Sequence, residues 1–277
     1  MGSAYAQDDL MQMLEDNTEE ETYRVASTFK GTRLINGQSI ETRKKGTLEF
    51  IIFHRFGTLN SGIDNFYGLD DAFIRLGLDY ALTDQLTVGI GRSSFQKVVD
   101  GFLKYQLISQ RSGARPFPLS IVAYTNMNIN TLDWANPGDN RTTDRFSYTH
   151  QLLIARKFSE ATSLQLMPTL VHRNRVPTAA EYNLIYALGI GGRQKLTQRV
   201  AFTFEYYHQF NNESPDNFQN AIAIGFDIET GGHVFQLHLT NARPTFERGF
   251  ITETTGQLSE GDIHFGFNIT RAFQLHD

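Results

Sequence analysis

From Thr47 to its end this chain alternates apolar and polar residues with a period of two, segment after segment. Successive side chains of an extended strand point to opposite faces, so each segment carries one apolar face and one polar or small face. In the run that starts at Ala72, one parity holds Ile74, Leu76, Leu78 and Tyr80, and the other holds Arg75, Gly77, Asp79 and Ala81. Later runs set Val200, Phe202, Phe204 and Tyr206 against Thr203 and Glu205, and Phe265, Phe267 and Ile269 against His264, Gly266 and Asn268. About twelve segments read this way, many of about ten residues or longer, whereas strands of soluble proteins average roughly 5–6 residues. A tilted strand needs about 9–11 residues to cross the hydrocarbon layer of a bilayer.

The faces and the turns say which kind of sheet this is. The non-apolar face consists of Gly, Ala, Ser, Thr, Asn, Gln and single charges of both signs, which suits the crowded, hydrated interior of a barrel whose apolar side meets lipid. Lipid then faces Leu76, Leu78, Val88, Ile90, Leu188, Phe202, Phe204, Ile224, Phe226, Phe265 and Phe267. Ionised groups turned to lipid are costly, so Arg75, Asp79, Asp100, Lys104, Arg193, Glu205, Asp227, Glu229 and His238 are expected to line the lumen. Tight connections at 83–85, 159–162, 196–198 and 230–232 alternate with longer ones at 57–70, 131–144, 174–180, 211–217 and 243–260. Two connections blur the alternation, 94–97 being short and 110–116 long for their class. Short periplasmic turns opposite longer outer loops are the habit of outer-membrane barrels. Aromatic residues such as Phe56, Tyr67, Phe95, Trp134, Phe158 and Phe273 fall near segment ends, as interfacial girdles would. Pro168, on a lipid-facing parity, removes a ladder bond and is expected to mark a bulge. The fold expected is all-β: a transmembrane antiparallel up-and-down β-barrel of about 12 strands, with a short N-terminal periplasmic segment. The competing fold is a soluble lipocalin-like barrel with its apolar face inward.

Residues 47–277 are assigned to the barrel. Residues 1–6 hold Ala4-Tyr5-Ala6, an A-x-A triplet of the kind that precedes signal cleavage, and are expected to be the remnant of an export signal to the bacterial outer membrane. Residues 7–46 are expected to form a periplasmic or plug-like segment: acidic to about Glu21, then two apolar-alternating pieces separated by Gly31, the second either a hairpin arm or a short helix. The chain has no Cys, which removes disulfides, thiolate metal sites and Cys nucleophiles. A net charge of -5 supplies no basic field for nucleic acid.

The runs TFKGTRLINGQSIET, FHRFG, GLDDAFIRLGLDY, VGIGRSS and FLKYQL resemble a family of outer-membrane β-barrel proteins of unknown function from the Bacteroidota. The resemblance spans about Thr28 to Phe273. It implies an exported barrel with a short N-terminal periplasmic segment, and it implies no activity.

Chemistry is sparse. None of the 8 histidines forms a zinc signature, and His233 and His238 share a segment on opposite parities. The cluster Glu205, His208 and Asn211, followed by Ser214, lacks a nucleophile elbow and reads as a strand end entering a polar loop. The GIGG run at residues 189–192 reads as close backbone packing, not a phosphate loop. No metal and no cofactor is expected. The expected function is a narrow or partly plugged passive channel for small polar solutes, with outer-membrane lipid around it. A structural barrel docking a periplasmic or surface protein through residues 7–46 or 243–260 is the alternative. A lipid hydrolase or acyltransferase of the outer membrane ranks below both.

Overall fold

The computed structural model describes residues 21–133, 141–176, 178, 181–211, 217–231 and 233–275. Twelve antiparallel strands close into one barrel: β1 (Thr47–Thr58), β2 (Ala72–Ala81), β3 (Leu86–Ser93), β4 (Val98–Ile108), β5 (Ser120–Asn130), β6 (Phe146–Lys157), β7 (Thr162–Arg173), β8 (Leu184–Lys195), β9 (Val200–Gln209), β10 (Ile222–Thr230), β11 (His233–Thr240) and β12 (His264–Gln274). Each pairs with its neighbours in sequence, and β12 closes on β1 with Phe273 opposite Leu48 and Ile269 opposite Ile52. Closure leaves no strand edge, so the backbone polar groups are satisfied inside the hydrocarbon.

The short turns share a device. After β2, β6 and β8 the chain places Thr83, Ser159 and Thr197, whose hydroxyls accept the backbone N–H groups two and three residues on. A hydroxyl that satisfies turn amides locally is why ALTDQLT, KFSEATS and KLTQRVA look alike. These turns, the entry to β1 and the longer β4–β5 connection lie at one end, taken as periplasmic, and the other long loops lie opposite.

The outer surface is apolar. Leu76, Leu78, Ile90, Leu188, Ile224 and Phe226 are exposed there, and Val88, Phe202, Phe204, Phe265 and Phe267 are half-buried among one another's rings and neighbours. Phe202 meets Phe226 edge-on at 5.8 Å. Pro168 does not produce the expected bulge. The register on both sides of it is unshifted, and the β6–β7 ladder merely lapses between Gln151↔Thr169 and Ile154↔Leu166. The irregularities fall instead at His264/Gly266 and Gln106/Ile108. Trp134, Ser214 and His276 lie outside the described residues.

Leu76 sits near the middle of β2 and points to lipid, so Leu76→Arg should destabilise the barrel by about 2–4 kcal/mol. Urea titration of the refolded protein in phospholipid vesicles measures this. A loss well under 1 kcal/mol would mean that this surface does not meet hydrocarbon.

Candidate functional site

The lumen of a barrel of about twelve strands is wider than the eight-stranded kind that side chains alone fill. Here two segments of the chain occupy it. From the periplasmic end, residues 28–40 run in and back as a hairpin, with the bridge Arg33↔Gln38 and Leu34 N–H on Gly37 O at 2.9 Å. Outside the barrel, Tyr23–Arg24 pairs with Arg111–Ser112 in the β4–β5 connection, fastening the segment to the rim.

The wall holds this hairpin largely by its backbone. Glu205 of β9 accepts the N–H groups of Ile35, Asn36 and Gly37 at 3.2, 2.8 and 3.1 Å. Gln236 and Asn268 donate to the carbonyls of Leu34 and Ile35 at 2.5 and 2.8 Å. Gln165 donates to Gln38 O at 2.7 Å and accepts from Ile40 N–H at 2.9 Å. Lys104 reaches Thr32 O and Gln38 Oε1, each at 3.4 Å. Side chains add charge pairing: Arg33 to Asp79 at 3.0 Å, Lys30 to Glu229 at 2.6 Å and Arg55 to the Asn36 amide oxygen. At the tip a Cβ on Gly37 would stand 2.1 Å from the Tyr207 hydroxyl, so only glycine permits this depth of insertion.

From the outer end, residues 242–254 fold inward around a short helix, α1 (Glu247–Thr252), burying Phe246, Phe250 and Ile251. The Phe250 ring lies 5.2 Å from that of Tyr207. Glu247 takes a hydrogen bond from Tyr124 at 2.5 Å and another from Gln38 at 3.2 Å, so the two inserts touch. Near the foot of this loop, Asp262 accepts the Gln257 backbone N–H and the Asn60 amide, which together hold its carboxyl below the usual carboxylate range. That anchor is present above about pH 4 and is lost as pH falls through the lowered value. A vestibule of about 350 Å³ opens on the outer side and one of about 440 Å³ on the periplasmic side, with no lining residue in common.

All nine charged or imidazole residues read as luminal stand on the inner parity. Arg75 and Asp100 form a bidentate ion pair at 2.9 and 2.5 Å within the wall. Asp79, Lys104, Glu205 and Glu229 hold the hairpin as described. Asp227 accepts from Gln236 at 2.8 Å, and Arg193 lies within electrostatic reach of Asp227 and Glu229. His238 packs beside Gly266 and Arg55 with neither ring nitrogen hydrogen-bonded. Glu205 and His208 point to opposite faces of β9, so the polar cluster noted there does not assemble. In GIGG, Gly189 lies under the Tyr207 ring and Gly191 under Leu34. Among the described residues no His, Asp or Glu grouping suits a metal ion.

A search for charges misses the neutral amides Gln165, Gln236 and Asn268, and the residues 33–38 that they grip. The Asn36-Gly37 dipeptide, a turn signal, was the available clue.

The sequence matches the family described as membrane bound beta barrel domain (DUF5777) over residues 29–273. The chain belongs to that family. The match begins within the hairpin, so this DUF5777 barrel includes its luminal insert. No curated protein matches the chain. Among solved structures, a NanC porin is similar at a TM-score of 0.52 and 8% identity, over 82% of this chain and 100% of the porin. That likeness is one of fold: a membrane barrel of the outer-membrane type. Looser likenesses, which carry no further weight, extend to the COG4313 outer membrane channel from Pseudomonas putida F1 (15% identity, TM-score 0.47, 84% of this chain and 98% of the channel) and to the CymD monoaromatic hydrocarbon channel (9%, 0.39, 85% and 90%).

Proposed function

We propose that this protein is a gated outer-membrane channel for small polar solutes, exported through a signal cleaved after Ala6 and held shut by its own N-terminal hairpin together with the inward loop of residues 242–254. The observation that carries this reading is the chemistry of the seal. Glu205, Gln236, Asn268, Gln165 and Lys104 bind the hairpin through its backbone and through polar contacts. When the hairpin leaves, every one of those groups can be rehydrated, so the vacated wall is a water-compatible path. Both signs of charge line it.

In planar bilayers the full chain should be silent or open only briefly, and a truncation beginning at Thr42 should conduct in steady discrete steps. A folded truncation that stays silent over a range of salts and voltages, even when Phe250→Ala also loosens the outer insert, would remove the channel reading. The second reading, a structural barrel docking a periplasmic or surface protein, would then stand. It draws on the completeness of the seal, in which the two inserts meet at Gln38 and Glu247. Against a lipid-modifying enzyme stands the placement of His208 on the lipid side of β9, away from Glu205.

A further inference from the structure

The outer half of the lumen holds a second polar surface that the hairpin does not use. On β5, Asn126 and Asn128 face inward and are 2% and 1% exposed. Across the ladder stand Thr149 and Ser147 of β6, and beyond Ser147 stands Arg173 of β7. The amide nitrogen and oxygen of both asparagines, and the Thr149 hydroxyl, have no hydrogen-bond partner among the described residues. Buried polar groups are nearly always paired, so a contiguous run of unpaired donors and acceptors marks a surface made for a different occupant.

The present occupant is the insert that carries α1, held at both ends of the run. Glu247 is fixed on Tyr124 at 2.5 Å at the inner end, and Glu253 lies 3.8 Å from Arg173 at the outer end. Between them Thr252 bonds Arg248 O and, just past the helix, Thr254 bonds Phe250 O. The outer vestibule reaches this run through Asn130, Ser147 and Arg173. The vestibule carries charges of both signs, among them Arg173, which lies 3.4 Å from Glu181, and Arg248, which lies 2.5 Å from Glu253.

We propose that Asn126, Asn128 and Thr149 form a binding strip for a neutral, hydroxyl-rich solute of the carbohydrate class, which takes the place of α1. This deepens the channel reading and rests on it. A carboxamide offers one acceptor and two donors, and adjacent sugar hydroxyls, each both donor and acceptor, can satisfy both kinds at once. A carboxylate finds no cationic side chain among Asn126, Asn128 and Thr149 themselves, and an apolar solute leaves the amides unpaired.

The test is saturation-transfer NMR on the full chain in detergent micelles, with glucose as probe and gluconate as the charged control of similar size. Transfer to glucose should exceed that to gluconate. It should fall at least about fivefold in Asn126→Leu/Asn128→Leu, and rise at least about threefold in Phe250→Ala, which loosens α1 and enlarges the binding-competent fraction. The leucine variant should also melt higher than the parent, because unpaired amides give way to apolar groups of similar size. Thr149→Val serves should that variant fail to fold. Equal signals for glucose and gluconate, or indifference to the variants of the strip and of α1, overturn the proposal. Conductance of the truncation beginning at Thr42 is a separate readout. Conduction without glucose binding removes the strip and leaves the channel, and binding without conduction does the reverse.

Discussion

Glu205→Ala should convert a silent barrel into one that opens in frequent bursts. One carboxylate holds three consecutive N–H groups at the hairpin tip, and all four residues are buried or lie in the buried insert. Hydrogen bonds to a charged group contribute about 1.5–3 kcal/mol each, and three sharing one acceptor add less than their sum. A loss of about 3–5 kcal/mol in hairpin docking corresponds to a shift of roughly 10²–10⁴-fold in the docked-to-free ratio. Single-channel open probability measures this, and trypsin cleavage at Lys30 and Arg33 should rise in parallel. Glu205→Gln keeps an acceptor oxygen and should show a smaller change of the same sign. Unaltered open probability in Glu205→Ala, with the barrel folded, would mean that the tip is held elsewhere.

Gly37→Ala should have a smaller effect of the same sign by a different route, and a second substitution should reverse it. The new methyl would meet the Tyr207 hydroxyl at 2.1 Å, while the next ring atom, Cζ, lies at 3.3 Å. Tyr207 cannot yield: it is fully buried, with its hydroxyl on the Met167 sulfur at 3.2 Å and its ring against Phe250. Overpacking at such a site commonly costs about 1–3 kcal/mol, and the hairpin relieves it by withdrawing. Tyr207→Phe deletes the clashing atom, so Gly37→Ala/Tyr207→Phe should return toward the closed behaviour of the parent. Conductance of the four proteins forms a double-mutant cycle. Additive effects of the two substitutions would place the tip away from Tyr207.

The barrel was legible because lipid imposes one rule on every strand. Leu76, Leu78 and Ile90 face outward and Arg75, Asp79 and Asp100 inward, as parity alone dictates. Parity is weakest at β1, where Ile51 and Phe53 point into the lumen while Leu48, Phe50 and Ile52 point out. The inward Phe53 has a polar purpose invisible in sequence: the Arg75 and Arg33 guanidinium carbons lie 5.1 and 6.0 Å from its ring centroid. The hairpin was half legible. Its turn is local and is signalled by Asn36-Gly37, but its destination depends on Glu205, some 169 residues away from Asn36. The inward fold of residues 242–254 is likewise a long-range matter, for Phe250 finds its partner in Tyr207 of another strand. The neutral amides of the wall carry no charge to betray which face they serve.

The two-residue ladder between Tyr23–Arg24 and Arg111–Ser112 makes the hairpin a tethered ligand. Beyond its tip the segment runs directly into β1, so it is moored on both sides even when withdrawn. Rebinding is then intramolecular, at the millimolar local concentrations typical of short leashes. On the proposed gating, dilution should not wash the hairpin away, and each opening should end on the timescale of a loop finding its own pocket.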